Sequence, residues 1–225
     1  MTRTIRMLAA LFLALGMAWI GGARLGSAAL AQATPSPLVN EHFISFGGPG
    51  SSISGTCTSS GNGTDTGNFT FSFNGTAQGP YPGTFTESGS FAITNGYVTA
   101  FSATFTITSA TGTVTGSKSL LVGEPATCNL SGAVSLGSSS TTYTATINGA
   151  YQDTGTANVV VAKFGSGSLY FSESFVTSNG VVPILPTSTQ QCKAGGWQTY
   201  SVFKNQGDCV SFVATGGKNP PDNAP

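Results

Sequence analysis

Apolar and polar residues alternate with a period of two through most of the chain from Val39 to Val182. Phe69, Phe71 and Phe73 alternate with Thr and Ser, and so do Phe101, Ala103, Phe105 and Ile107. Tyr143, Ala145 and Ile147 repeat the pattern, followed by Leu169, Phe171 and Phe175. Side chains two apart along a strand share a face. Each run therefore presents one apolar and one Ser/Thr face, as half-buried antiparallel strands do. Asn95-Gly96, between two such runs, predicts a two-residue hairpin. Asn74-Gly75, Asn148-Gly149 and Asn179-Gly180 read as further strand ends. About ten strands result, an all-β pattern that fits an antiparallel β-sandwich in preference to a barrel.

The pattern changes on either side of this region. Arg3 and Arg6 precede an apolar run from Met7 to Ile20, and small residues lead to Ala31-Gln32-Ala33. This is the layout of a secretory signal peptide over residues 1–33, cleaved after Ala33, with an uncleaved anchor as the alternative. The expected domains are the β-sandwich over 34–182, a linker over 183–191, a short helical disulfide module over 192–219 and a disordered tail over 220–225. Pro183 and Pro186 interrupt the linker. Trp197, Tyr200 and Phe203 recur at spacing three until Gly207, and Asp208 is placed to cap a second helix ending at Gly216-Gly217.

Charge is scarce. All three arginines precede Thr34, and the remainder carries five lysines and eight acids, a net charge of −3. Without a basic cluster to release counterions, nucleic acid is excluded as a partner. No polybasic amphipathic segment implies membrane association after signal cleavage. The expectation is a secreted, extracellular module whose partners are cell-surface or extracellular glycans or proteins. The four cysteines, Cys57, Cys128, Cys192 and Cys209, read as two disulfides in an oxidising compartment. Cys192–Cys209 closes a short local loop and is preferred, leaving Cys57–Cys128. Their spacing fits no zinc site, and no metal or other cofactor is expected.

The tail from Gln191 to Pro221 carries Cys192-Lys193, Gly195-Gly196-Trp197, Phe203-Lys204-Asn205-Gln206-Gly207, Cys209-Val210-Ser211-Phe212-Val213 and Gly216-Gly217-Lys218-Asn219-Pro220. It resembles a C-terminal segment that recurs in exported bacterial proteins of uncharacterised function. The resemblance implies export and a shared small module, and it brings no catalytic residues with it.

Few groups can carry chemistry. His42 is the only histidine and has no G-x-S-x-G elbow to serve. Asp65-Thr66-Gly67 and Asp153-Thr154-Gly155 have the form of an aspartic-protease pair, but polar flanks favour ordinary turns. Glu87 has the parity of Phe85 and Phe91, and Glu173 that of Leu169, Phe171 and Phe175. Both point to the apolar side unless a bulge re-aims them. Two strand carboxylates about 5–10 Å apart across an open groove make a glycosidase, with Tyr81 and Tyr170 available to hold a sugar. Asn62, Asp65 and Asn68 lack calcium-loop spacing. Thr104, Thr106 and Thr108, with Thr142, Thr144 and Thr146, form ladders that suit a solvent face or an ice-binding or surface-adhering one. The leading expectation is a structural or adhesive module without catalytic activity. The alternative is a jelly-roll-like glycoside hydrolase or carbohydrate-binding protein using Glu87 and Glu173.

Overall fold

A computed structural model describes residues 34–59, 64–200 and 202–222. The expected signal peptide and its cleavage site, Asn62, and residues 223–225 of the tail lie outside the described residues. The strands are β1 (His42–Ser45), β2 (Ser52–Thr58), β3 (Thr66–Gln78), β4 (Gly83–Thr94), β5 (Tyr97–Ser109), β6 (Gly112–Val122), β7 (Ala126–Cys128), β8 (Val134–Ile147), β9 (Tyr151–Lys163), β10 (Leu169–Thr177) and β11 (Val182–Pro183).

The expected sandwich is not formed. β9, β10, β1, β3, β4, β5, β6 and β8 pair in that order, and β8 pairs back onto β9. The sheet thus closes into an eight-stranded antiparallel barrel, with β2, β7 and β11 as additional strands. Two features explain the closure. Several strands run to 13 or 14 residues, long enough for a tilted sheet to curl onto itself. Inward positions also alternate bulky rings with glycine. A Cβ on Gly116 would come within 2.4 Å of the Phe105 ring, so the missing side chain makes room for the phenylalanine core. Phe43, Phe71, Phe73, Phe85, Phe105, Phe171 and Phe175 fill the interior.

Asn95 and Gly96 adopt positive φ between β4 and β5, as a two-residue hairpin needs. Asn148-Gly149 turns β8 into β9, and Asn179-Gly180 follows β10. Asn74-Gly75, by contrast, lies inside β3 rather than at a strand end. It marks where β3 exchanges one neighbour for another, pairing with β2 up to Ser72 and with β1 from Thr76.

The disulfides are Cys57–Cys128 and Cys192–Cys209. The first joins the accessory strands β2 and β7. Residues 183 and 184 belong to the barrel's edge rather than to a linker, since Pro183 pairs with Tyr151 and the Ile184 N–H donates to the Ala150 carbonyl. The C-terminal module comprises α1 (Thr189–Cys192), a 3-10 turn (Gly196–Tyr200) and α2 (Gln206–Ala214). Asn205, not Asp208, caps α2 by accepting the Asp208 N–H, and Gly207 lies within the helix instead of ending the preceding run. Cys192, Val202, Phe203 and Cys209 form the module's own small core. Lys204 ion-pairs with Asp222, so the tail is tied back at least that far. No helix among the described residues is long and apolar enough to cross a membrane.

Candidate functional site

The eight charged residues from Glu41 to Glu173 are distributed in reverse of the usual pattern. Six of them, Glu41, Asp65, Glu87, Lys118, Asp153 and Glu173, are buried. Glu124 is exposed, and Lys163 is half-buried, donating to the Ile53 carbonyl at 3.1 Å.

Three of the six meet at the centre of the barrel. Glu87 stands on β4 opposite Phe73 and Phe105, and Glu173 on β10 opposite Phe43 and Val159. Between them, Lys118 projects from β6, where it faces Ala103 and Tyr143. All three side chains have 0% exposure. Lys118 Nζ donates to Glu87 Oε2 at 2.5 Å and also to Glu173 Oε2. The rings of Phe105, Phe175 and Phe43 surround the ammonium, with centroids 4.9, 5.2 and 5.7 Å from Nζ. Ring faces carry negative potential and add to its attraction. Oε1 of each glutamate has no hydrogen-bond partner among the described protein atoms.

Burial first, and then the neighbouring Glu87 charge, hold the Glu173 carboxyl well above the usual carboxylate range, only partly opposed by Lys118. One ammonium cannot neutralise two carboxylates, and an apolar interior penalises the excess charge. The arrangement therefore favours the neutral form of the Glu173 carboxyl beside the Lys118–Glu87 pair.

The parity argument places Glu87 and Glu173 correctly on the interior side, but the setting differs from a hydrolase cleft. The two carboxyls share one ammonium inside a closed, phenylalanine-lined barrel, where a polysaccharide has no access. A depression of about 200 Å³ is lined by Ser72, Thr86, Glu87, Ser88, Thr104, Phe105 and Thr106, yet the Glu87 side chain itself has 0% exposure. Tyr81 is buried and donates its hydroxyl to the Ser36 carbonyl at 2.6 Å. Tyr170 lies beside the exposed Phe46, with centroids 5.7 Å apart. Lys118 was legible by the same reasoning, because Val114, Gly116, Lys118 and Leu120 share parity. The serines and glycine around it hide its strand.

The remaining acids hold the barrel ends. Asp153 Oδ2 accepts the Leu38 N–H at 2.8 Å, the Tyr143 hydroxyl at 3.0 Å and the Thr177 hydroxyl at 3.2 Å. Glu41 Oε2 accepts the Tyr81 N–H at 2.9 Å, and burial raises the Glu41 carboxyl above its ordinary value. Asp65 accepts the Ser59 hydroxyl and the Cys128 N–H. Asp65 immediately precedes β3, and Asp153 lies near the start of β9. These strands run in opposite directions, so the two aspartates are at opposite ends and form no protease dyad. His42 opens β1, its Nδ1 2.9 Å from the Ser174 hydroxyl. No group of three or more His, Cys, Asp or Glu among the described residues is arranged to hold a metal ion.

The outer wall carries the complementary pattern. Across β3, β4, β5, β6, β8 and β9, paired positions read Thr70, Ser90, Ser102, Ser119, Thr142, Thr156 in one row. The next row reads Ser72, Ser88, Thr104, Ser117, Thr144, Thr154. Adjacent strands lie roughly 4.8 Å apart and successive rows roughly 7 Å apart, so hydroxyls repeat on a regular grid. No known protein-family profile, curated protein or solved structure matches the chain.

Proposed function

We propose that the chain is an exported structural or adhesive module that works outside the cell and turns over no substrate. The reading rests on one observation above the others, the inversion of charge and hydroxyl. Six of the eight charged residues from Glu41 to Glu173 are buried, while two six-strand rows of Ser and Thr run across the outer wall. Such a wall stays hydrated without charge and is insensitive to salt, because it has little electrostatic interaction to screen. Two disulfides fit an oxidising, extracellular setting. A grid of hydroxyls can exchange hydrogen bonds with the hydroxyls of a polysaccharide lying flat on it, so an extracellular glycan is the favoured partner.

Co-sedimentation with insoluble polysaccharides, paired with an assay for released reducing ends, tests this. The expected result is binding without product, weakened when Thr104 and Thr144 are both changed to Lys. Release of sugar by the native chain, abolished by Glu87→Gln, would overturn it in favour of a hydrolase.

A further inference from the structure

We propose that the Lys118 side chain condenses with the Glu173 carboxyl into an intramolecular amide across the barrel, with Glu87 transferring the protons. The inference concerns the interior alone and does not depend on what the outer wall binds.

Three conditions for amide formation meet at this point. The first is proximity, since Lys118 Nζ is in direct contact with both glutamates. Holding reactants together in this way replaces a bimolecular encounter, and effective molarities in such cases reach about 10⁵ M or more. The second is dryness. All three side chains have 0% exposure, and Phe43, Phe105 and Phe175 enclose the amine. An apolar enclosure favours the neutral amine and neutral acid over the ion pair, and it keeps water from reversing the reaction. The third is a proton carrier. Glu87 touches the reacting nitrogen and stands beside the second carboxyl.

The elevated affinity of the Glu173 carboxyl for its proton agrees with its serving as the neutral acid. Glu87 then starts as the carboxylate and takes one proton from the Lys118 ammonium. The freed Nζ lone pair attacks Cδ of Glu173, forming the C–N bond. Glu87 gives its proton to the departing Glu173 hydroxyl, which leaves as water, and then takes a second proton from Nζ. An ammonium, a carboxylate and a carboxylic acid become one secondary amide, one neutral Glu87 carboxyl and one water. Charge and atoms balance, and no oxidant or other reactant is required.

The product suits its surroundings better than the reactants do. Both glutamates begin with an unpartnered buried Oε1. In the product, the amide N–H donates to Glu87, and the protonated Glu87 donates to the amide carbonyl. No charge remains among the rings. β6 and β10 are not neighbours in the barrel order, so the bond spans the interior and joins chain segments 55 residues apart.

The test is the intact mass of the folded, exported chain, measured denatured and with disulfides reduced, together with peptide mapping. The expected mass is below that of the sequence, from its determined N-terminus, by one water. Fragmentation should place the loss in a branched peptide joining the Lys118 and Glu173 segments, with cleavage by trypsin blocked at Lys118. Glu87→Gln and Lys118→Met should each restore the full mass. Full mass in the folded native chain overturns the proposal. So does a water loss found with Lys118 in a linear peptide, or a branch from Lys118 to Glu87. If either variant fails to fold, the native mass and its fragment map decide alone.

Discussion

Removing the Cys57–Cys128 bridge, by changing both residues to Ala, should lower the stability of the barrel by about 4 kcal/mol. The bridge closes a separation of 71 residues and joins β2 to β7, two strands outside the closed ring. Its loss leaves much of the native contact intact, because Asp65 still accepts the backbone N–H at position 128 and β2 keeps its seven-residue ladder with β3. Most of the effect therefore falls on the unfolded chain, which gains conformational freedom. Urea unfolding followed by tyrosine fluorescence should show an earlier midpoint, with a somewhat steeper slope from the more open unfolded state. The Cys192–Cys209 bridge is the internal control. It closes a separation of 17 residues around a separate small core. Removing it should loosen the C-terminal module and leave the barrel's transition in place. The reasoning is refuted if the barrel's midpoint is unmoved by loss of Cys57–Cys128, or moves equally on loss of Cys192–Cys209.

Two further outcomes follow from the packing and the buried acids. Gly75→Ala should cost about 2–3 kcal/mol in urea unfolding, because the new Cβ would lie 2.3 Å from the Ile44 carbonyl oxygen and 2.6 Å from the Phe85 ring. Faster amide exchange in β1 would locate the damage. Urea midpoints measured across pH should fall in two steps as pH rises. The Glu41 carboxyl is raised in the fold, so its contribution is full below the ordinary carboxylate value of 4.5 and is lost as pH climbs through the folded value. Glu41→Gln should flatten that part of the profile. Burial and the nearby acids push the Tyr81 hydroxyl from 10.0 up to about 12. Burial raises Tyr143 as well. Stability should therefore fall again between pH 10.0 and about 12, and Tyr81→Phe should reduce that fall.

The local structure was largely legible. Period-two runs, the Asn95-Gly96 hairpin and both cysteine pairs are where the sequence pattern puts them. Closure was not, because an inward-outward alternation reads the same in a sandwich and in a barrel. What decides between them is whether β8, already paired with β6, also pairs with β9, and whether β10 joins β9 to β1. Asn74-Gly75 misled for a related reason. The dipeptide has turn chemistry, yet here the glycine admits the β1 backbone at close range while β3 continues. Parity found Glu87 and Glu173 because phenylalanines flank them. It passed over Lys118, whose inward neighbours Gly116 and Leu120 give a weaker apolar signal.

The cost of burying charge connects these observations. A chain this poor in ionisable groups can keep them in solvent easily, yet six of the eight between Glu41 and Glu173 are inside. Three of those, Glu41, Asp65 and Asp153, accept hydrogen bonds that close the barrel ends, which gives them a structural reason to be buried. The central three have no such reason. Replacing a buried charge cluster by apolar residues is often neutral or stabilising by about 1–4 kcal/mol. Phe43, Phe105 and Phe175 already surround the ammonium, and a Leu or Phe at each position would extend the same core. A lysine between two glutamates in that setting is better explained by chemistry that only an amine and two carboxyls can perform than by the stability of their ion pairs.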